Sequence, residues 1–169
     1  MCCFLLTSCK KEEDTTPELD EIYTGVTTAL QDNNDWMADN YAFIDLIEEN
    51  GINLIVTVLI NNILIVEKLV IRRIPFEVGT YPVVKRSTDV DKILISSSFF
   101  ITSGDEPIAD YSILESDSSS FVTLKSYDEA TGELDGTFDL TFKIDTPVAG
   151  YPDTIRFRDG VFDATIVEL

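Results

Sequence analysis

The chain has 169 residues, an apolar fraction of 44% and a formal charge of −19, with 31 acidic residues, 12 basic residues and no histidine. That length and apolar content fit one domain with a buried core, and they exclude a wholly disordered chain. The acidic surface argues against nucleic acid as a partner, and the lack of histidine removes His-dependent triads and His-bearing zinc sites.

All three cysteines lie within the first nine residues, which end in the sequence Leu6-Thr7-Ser8-Cys9. This end resembles a bacterial lipobox, in which a signal peptide is cut before a cysteine that then receives lipid. The apolar run is short and a basic n-region is missing, so we expect residues 1–8 to be the remainder of a signal peptide. Cys9 is the predicted lipidation site.

The residues that follow Cys9 are strongly polar. Lys11 is followed by Glu12 and Glu13, an arrangement that resembles the surface-export signal of Bacteroidota lipoproteins, although an ordinary solvated linker has nearly the same composition. We therefore expect an outer-membrane lipoprotein, on the cell surface rather than the periplasmic face. Residues 9–20 form the predicted lipidated and flexible tether, and residues 21–169 form a single β domain.

The first part of the body predicts two strands, Gly25–Leu30 and Tyr41–Glu48, on either side of an Asp/Asn turn cluster at Gln31–Asp35. Calcium is the alternative for the cluster, but the ligand spacing of an EF-hand is missing. Trp36, the one tryptophan, is predicted to pack at the mouth of the core. As an exposed aromatic it would instead stack on a sugar, so we take Trp36 as a candidate ligand contact.

Asn50-Gly51 is a strong hairpin signal, and Ile52–Ile60 and Ile63–Ile71 are the next pair of predicted strands. Both faces of these two strands are apolar. β-Branched residues dominate them and the apolar runs are too short for a transmembrane helix. Strands of this kind lie in the middle of a sheet, under a helix or in a closed barrel.

A cluster of basic residues follows. Six of the ten bases after the tether lie there, and they either form a recognition patch or balance neighbouring acids: Lys68, Arg72, Arg73, Lys85, Arg86 and Lys92. Three shorter segments are also predicted to contain strands: Phe76–Val84, Lys92–Ile101 and Ala109–Leu114.

The C-terminal region has the clearest pattern. From Leu134 to Ile144 apolar and polar residues alternate, which is typical of a strand with one buried face. Val122 and Leu124 lead into Asp128–Gly132, which predicts a type I turn closed by a glycine bulge. Asp159-Gly160 predicts a tight turn between two further strands.

These motifs together resemble a family of small lipoproteins of Bacteroidota, known as domains of unknown function. The resemblance depends on residues spread over most of the chain: Cys9, Trp36 after its turn, Gly79-Thr80-Tyr81, Asp110-Tyr111, Gly132–Phe138 and Asp159–Phe162. Its most specific element is Gly136-Thr137-Phe138 followed by Gly160-Val161-Phe162. It implies a mostly antiparallel β domain and no catalytic residue.

The sequence therefore predicts an all-β fold of roughly eight to ten antiparallel strands, as a sandwich or a calycin-like barrel. We expect a membrane-anchored binding or structural module without cofactor or metal. Its partner is a glycan, a small amphipathic ligand or a protein. The expected binding site is an apolar or aromatic pocket at a barrel mouth or along an edge. A glycan-processing enzyme that uses paired carboxylates is the alternative, with Glu48-Glu49, Asp89 with Asp91, and Asp105-Glu106 as candidate pairs.

Overall fold

The computed structural model describes residues 24–44, 51–60, 64–86, 94–103, 106–115 and 119–168. The described chain is all β, with ten strands: β1 Gly25–Gln31, β2 Asn34–Ile44, β3 Ile52–Ile60, β4 Leu64–Ile74, β5 Gly79–Pro82, β6 Ser96–Ser103, β7 Glu106–Ile113, β8 Phe121–Tyr127, β9 Glu133–Ile144 and β10 Thr154–Thr165. The predicted all-β class is confirmed.

Eight of the strands close into an antiparallel barrel, in the order β10-β1-β2-β3-β4-β6-β7-β9, and β9 pairs with β10 to complete the ring. The outer two strands, β8 and β5, extend the sheet from β9, because β9 pairs with β8 along its first half and with β7 near its end. Of the two predicted architectures, sandwich and barrel, the chain therefore adopts the barrel.

Large side chains fill the inside of the barrel. Alternate residues of each strand point inward, and six aromatic residues are almost completely buried there: Phe99, Tyr111, Phe138, Phe142, Phe157 and Phe162. The rings of Phe99 and Phe157 meet edge to face with centroids 5.2 Å apart, and the ring of Phe142 lies 6.0 Å from each of them. This centre is a packed core of the kind that small barrels form.

Two glycines of β9 and β10 give two of these rings their space. A Cβ on Gly160 would come within 2.5 Å of the Phe138 ring, and a Cβ on Gly136 within 2.4 Å of the Phe162 ring. Gly160 is the register partner of Phe138, and Gly136 is the partner of Phe162. Each aromatic ring thus lies over the glycine of the neighbouring strand, and the two rings stack 6.5 Å apart.

The predicted turn at Asp159-Gly160 is wrong. β10 runs unbroken from Thr154 to Thr165, and its register against β9 shifts between Phe157 and Gly160, which marks a bulge. Asp159 has a φ of 52°, and its backbone N–H donates to Asp139 Oδ1 at 3.2 Å. Dipeptides with Asp and Gly suit either a turn or a bulge, because both require positive φ.

The predicted turn at Gln31–Asp35 is confirmed, but it is shorter than expected. Only Asp32 and Asn33, with φ of 48° and 67°, lie between β1 and β2, as in a type I′ turn. The second strand therefore begins at Asn34 and not at Tyr41, so that Trp36 belongs to it. The turn predicted at Asp128–Gly132 is confirmed: Gly132 has a φ of 74° and its N–H donates to Asp128 O at 2.7 Å.

Candidate functional site

Trp36 lies near the end of the barrel where β2 begins. Its side chain is 7% exposed, its ring meets Phe157 edge to face at 4.9 Å, and its indole Nε1 donates to Glu67 Oε2 at 2.7 Å. This is the predicted position at the mouth of the core. The alternative of an exposed stacking platform for a sugar does not fit a ring with both faces inside the barrel.

A cleft of about 410 Å³ lies where the ends of β7 and β9 meet the segment after β5. Its ion pair joins Lys85 Nζ to Asp145 Oδ1 at 3.4 Å, between two half-exposed side chains. Ser112 donates to the other carboxylate oxygen of Asp145 at 2.8 Å, and Lys143 and Glu115 also line the cleft. We expected an apolar or aromatic pocket, whereas this cleft is charged.

A patch of exposed apolar residues lies on the outer side of β1, β2 and β10, which we call the open face. Met37 is 70% exposed, Val161 48% and Val26 44%. Thr28 is the register partner of both Met37 and Val161, so these side chains are neighbours across three strands. Exposed apolar residues grouped in this way are typical of contact surfaces.

Carboxylates border the open face. Asp39 is opposite Val26, and Asp163 is directly opposite Asp135. Asp163 Oδ1 accepts the N–H of Val26 at 2.9 Å, and Asp135 Oδ1 accepts the hydroxyl of Ser126 at 2.6 Å. The open face thus combines three exposed apolar side chains around Thr28 with carboxylates at its border, which complements a basic surface.

The outer side of β3 and β4 is different, and we call Ile55, Thr57 and Val70 the covered face. These residues alternate with the core residues of their strands and therefore point away from the barrel interior. All three are nevertheless buried, and Thr57 Oγ1 has no hydrogen-bond partner. The expectation that these strands lie in a closed barrel is confirmed, and the outward residues Ile55 and Val70 are buried as well as the inward ones.

Cations border the covered face. Burial and the charge of Arg72 lower the pKa of Lys68, while burial and the charges of Arg86 and Arg73 lower the pKa of Arg72. Lys85 has a carboxylate partner in Asp145, as the balancing hypothesis expects. For Lys68 and Arg72, neighbouring arginines are among the causes that lower the pKa. Lys92 lies outside the described residues.

Several predicted site residues lie outside the described chain. They are Cys9, Lys11, Glu12 and Glu13 of the tether, and the carboxylates Glu48, Glu49, Asp89, Asp91 and Asp105. Glu106, at the start of β7, is described and exposed. Within the described ranges no three residues of the types His, Cys, Asp and Glu are placed to hold a metal. The same ranges contain no helix long and apolar enough to cross a membrane.

The comparisons with known proteins were negative: no protein-family model, no curated protein and no solved structure matched this chain. The fold class of the chain is a closed, eight-stranded antiparallel β-barrel with a packed interior. The resemblance to a Bacteroidota lipoprotein family stays a prediction that rests on the sequence motifs.

Proposed function

We propose that this chain is a membrane-anchored, surface-exposed lipoprotein that acts as a binding module through the outside of its barrel. The observation that carries the proposal is the packed interior: six aromatic side chains fill the space in which a calycin-like barrel would hold a small amphipathic ligand. Binding is then a task for the outer surface, and the open face of Val26, Met37 and Val161 is the surface best suited to it.

A protein partner fits the open face better than a glycan does. Protein contact surfaces combine an apolar centre, often with methionine, and a polar border, whereas sugars are commonly stacked on exposed aromatic rings. Met37 supplies a flexible and strongly exposed apolar side chain. Asp39 and Asp163 supply negative charge at the border, so a partner with lysine or arginine around an apolar patch is expected.

Anchoring has a direct test in the native organism. Mass spectrometry of the mature N-terminus should find a diacylglycerol-modified Cys9, and a Cys9→Ala variant should leave the membrane fraction. Protease added to intact cells should remove the wild-type protein if it lies on the surface. An unmodified thiol at Cys9 would contradict the anchoring, and full protection from protease would contradict surface exposure.

Binding through the open face has a separate test. A photo-crosslinking amino acid at position 37 in intact cells should give one discrete adduct, and Val161→Asp should abolish it. The same amino acid at position 125, an exposed site on β8, is the matched control and should give none. Equal, diffuse labelling at both positions would contradict a specific contact surface.

A further inference from the structure

The charged cleft lies where β9 changes its neighbour. β8 pairs with β9 as far as Asp139, and β7 pairs with it from Phe142 to Ile144. At this change Leu114 N–H donates to Thr141 O at 2.9 Å, which keeps the chain beside β9 just past the end of β7. The cleft is therefore formed by the pairing of the sheet itself, and its volume of about 410 Å³ is within the range of small-ligand sites.

One side of the cleft carries a cation without an acidic partner. Lys143 is exposed between the buried residues Phe142 and Ile144, so its side chain points to the outside of the barrel. Its register partners on the two neighbouring strands are Ser112 and Thr154, which are uncharged. Across the described ranges Lys143 takes part in no ion pair, so its ammonium group is available to an anionic group of a ligand.

The other side carries a carboxylate in the same condition. Glu115 is exposed just past the end of β7, and it lines the cleft together with Lys143. Within the described part of the chain no cation pairs with its side chain. Glu115 lies three residues beyond Ser112, the register partner of Lys143, so the Cα atoms of the two charged residues are about 11 Å apart.

Ser112, Asp145 and Lys85 hold one another in place. Asp145 accepts the hydroxyl of Ser112 at 2.8 Å and forms its ion pair with Lys85 at 3.4 Å. The charge of Asp145 is thus compensated inside the protein, while the oxygen of Ser112 keeps a lone pair that can accept an N–H group. As far as the chain is described, the lining combines an uncompensated cation, an uncompensated carboxylate and a hydrogen-bond acceptor held by its neighbours.

We propose that this cleft binds a small zwitterion of the size of a dipeptide. The carboxylate of the ligand pairs with Lys143, its ammonium group pairs with Glu115, and its amide N–H donates to Ser112. The termini of an extended dipeptide are about 7 Å apart, which suits the separation of Lys143 and Glu115 better than the adjacent charges of a single α-amino acid. A zwitterion has no net charge, so the formal charge of −19 does not repel it as it would a simple anion.

The test is a titration of the purified, ¹⁵N-labelled full chain in a Cys9→Ser background, which carries no lipid. The peptide Ala-Ala should shift the amide NMR signals of residues 112–115 and 143–145 saturably, with a Kd on the order of 1 mM. N-acetyl-Ala-Ala lacks the ammonium group and Ala-Ala-amide lacks the carboxylate. Each of these two should bind about tenfold more weakly than Ala-Ala, because each leaves one charged group of the cleft without its partner.

Two variants connect each charge of the ligand to its residue. In Lys143→Gln, Ala-Ala and Ala-Ala-amide should bind equally weakly, and in Glu115→Gln the same should hold for Ala-Ala and N-acetyl-Ala-Ala. Lys125→Gln, at an exposed lysine of β8 that does not line the cleft, is the matched control and should change the Kd less than about twofold. Two results would overturn the proposal: no saturable shift at these amides up to about 50 mM Ala-Ala, or a preference for Ala-Ala over its amide that persists in Lys143→Gln.

These outcomes are separate from those for the open face. Val161 lies seven residues beyond Thr154 on β10, about 23 Å along the strand from the register partner of Lys143. Failure of the titration would therefore leave the crosslink at Met37 and the lipidation of Cys9 untouched. Conversely, neither of those results affects whether Ala-Ala binds in the cleft.

Discussion

Phe138 on β9 lies over Gly160 on β10, and a Cβ added to Gly160 would approach the Phe138 ring to 2.5 Å. The reciprocal pair, Phe162 over Gly136, lies two strand positions away. The two short motifs that suggested a family resemblance therefore have a structural explanation. Each motif supplies one glycine and one aromatic ring, and the rings cover the glycines of the opposite strand.

This pairing predicts a stability cost for Gly160→Ala that depends on Phe138. The added methyl overpacks the site, so the free energy of unfolding should fall by about 1–3 kcal/mol. In a Phe138→Ala background the ring is gone and the same change should cost far less, which urea denaturation of the four proteins will measure. An equal loss of unfolding free energy in both backgrounds would contradict the pairing. Val161→Ala is the control, and it should change the free energy of unfolding only slightly.

Trp36 and Glu67 give a second prediction. Glu67→Leu leaves the buried indole N–H without an acceptor and should lower the free energy of unfolding by about 1–3 kcal/mol. Glu67→Gln keeps an acceptor oxygen and should cost less. Because Trp36 is the single tryptophan, its fluorescence follows this site during denaturation. Identical losses in the two variants would show that the hydrogen bond is not the cause.

The facing carboxylates Asp135 and Asp163 predict a stabilising substitution. Like charges directly opposite on neighbouring strands are unfavourable, so Asp135→Asn should raise the free energy of unfolding by about 0.2–1 kcal/mol at low ionic strength. The gain should shrink in salt, because salt screens exposed charges. Glu129→Gln removes one charge from an exposed loop and is the matched control. An equally large gain in the free energy of unfolding of that variant would show that the lower net charge, and not the facing pair, is the cause.

Tyr111 predicts a dependence of stability on alkaline pH. Burial, assisted by Tyr151 and nearby carboxylates, raises the pKa of its hydroxyl, which donates to Pro152 O at 3.0 Å. The unfolded tyrosine releases this proton at about pH 10, whereas the folded protein still keeps it at that pH. The stabilisation is complete below that pH and is lost as the pH rises through the higher folded value.

The measurement is the denaturation midpoint of wild type and Tyr111→Phe from pH 8 to pH 11. Below about pH 10 the variant should be less stable by a constant amount, because it lacks the hydrogen bond. Above that pH the gap should narrow, since only the wild type loses the contribution of this hydroxyl. A gap that widens with pH would show that the pKa is shifted in the other direction.

Sequence patterns predicted the strands best where one face is apolar and the other polar. The alternation from Leu134 to Ile144 has the period of a strand, and the burial of β9 follows it except at Thr141, which is polar but buried. The turn at Asp128–Gly132 was equally clear, because glycine is required where φ is positive. Both features are local, so the chain shows them without knowledge of its neighbours.

Features that depend on distant strands were not visible in the sequence. Asp159-Gly160 forms a bulge and not a turn because β9 continues alongside and Asp139 accepts the N–H of Asp159. Closure of the barrel depends on the pairing of β1 with β10, which lie at opposite ends of the domain. The open face was missed for the same reason: Met37 and Val161 become neighbours only through Thr28 of β1.

The packed interior is the basis of the proposed surface function, and titration with a fluorescent fatty acid tests it most directly. Six aromatic residues occupy the centre of the barrel, so the native protein should not bind the fatty acid saturably at concentrations up to about 1 mM. A 1:1 complex of micromolar affinity that is lost in a Phe99→Trp variant, which narrows the interior further, would show that the barrel opens to a ligand and would contradict the account.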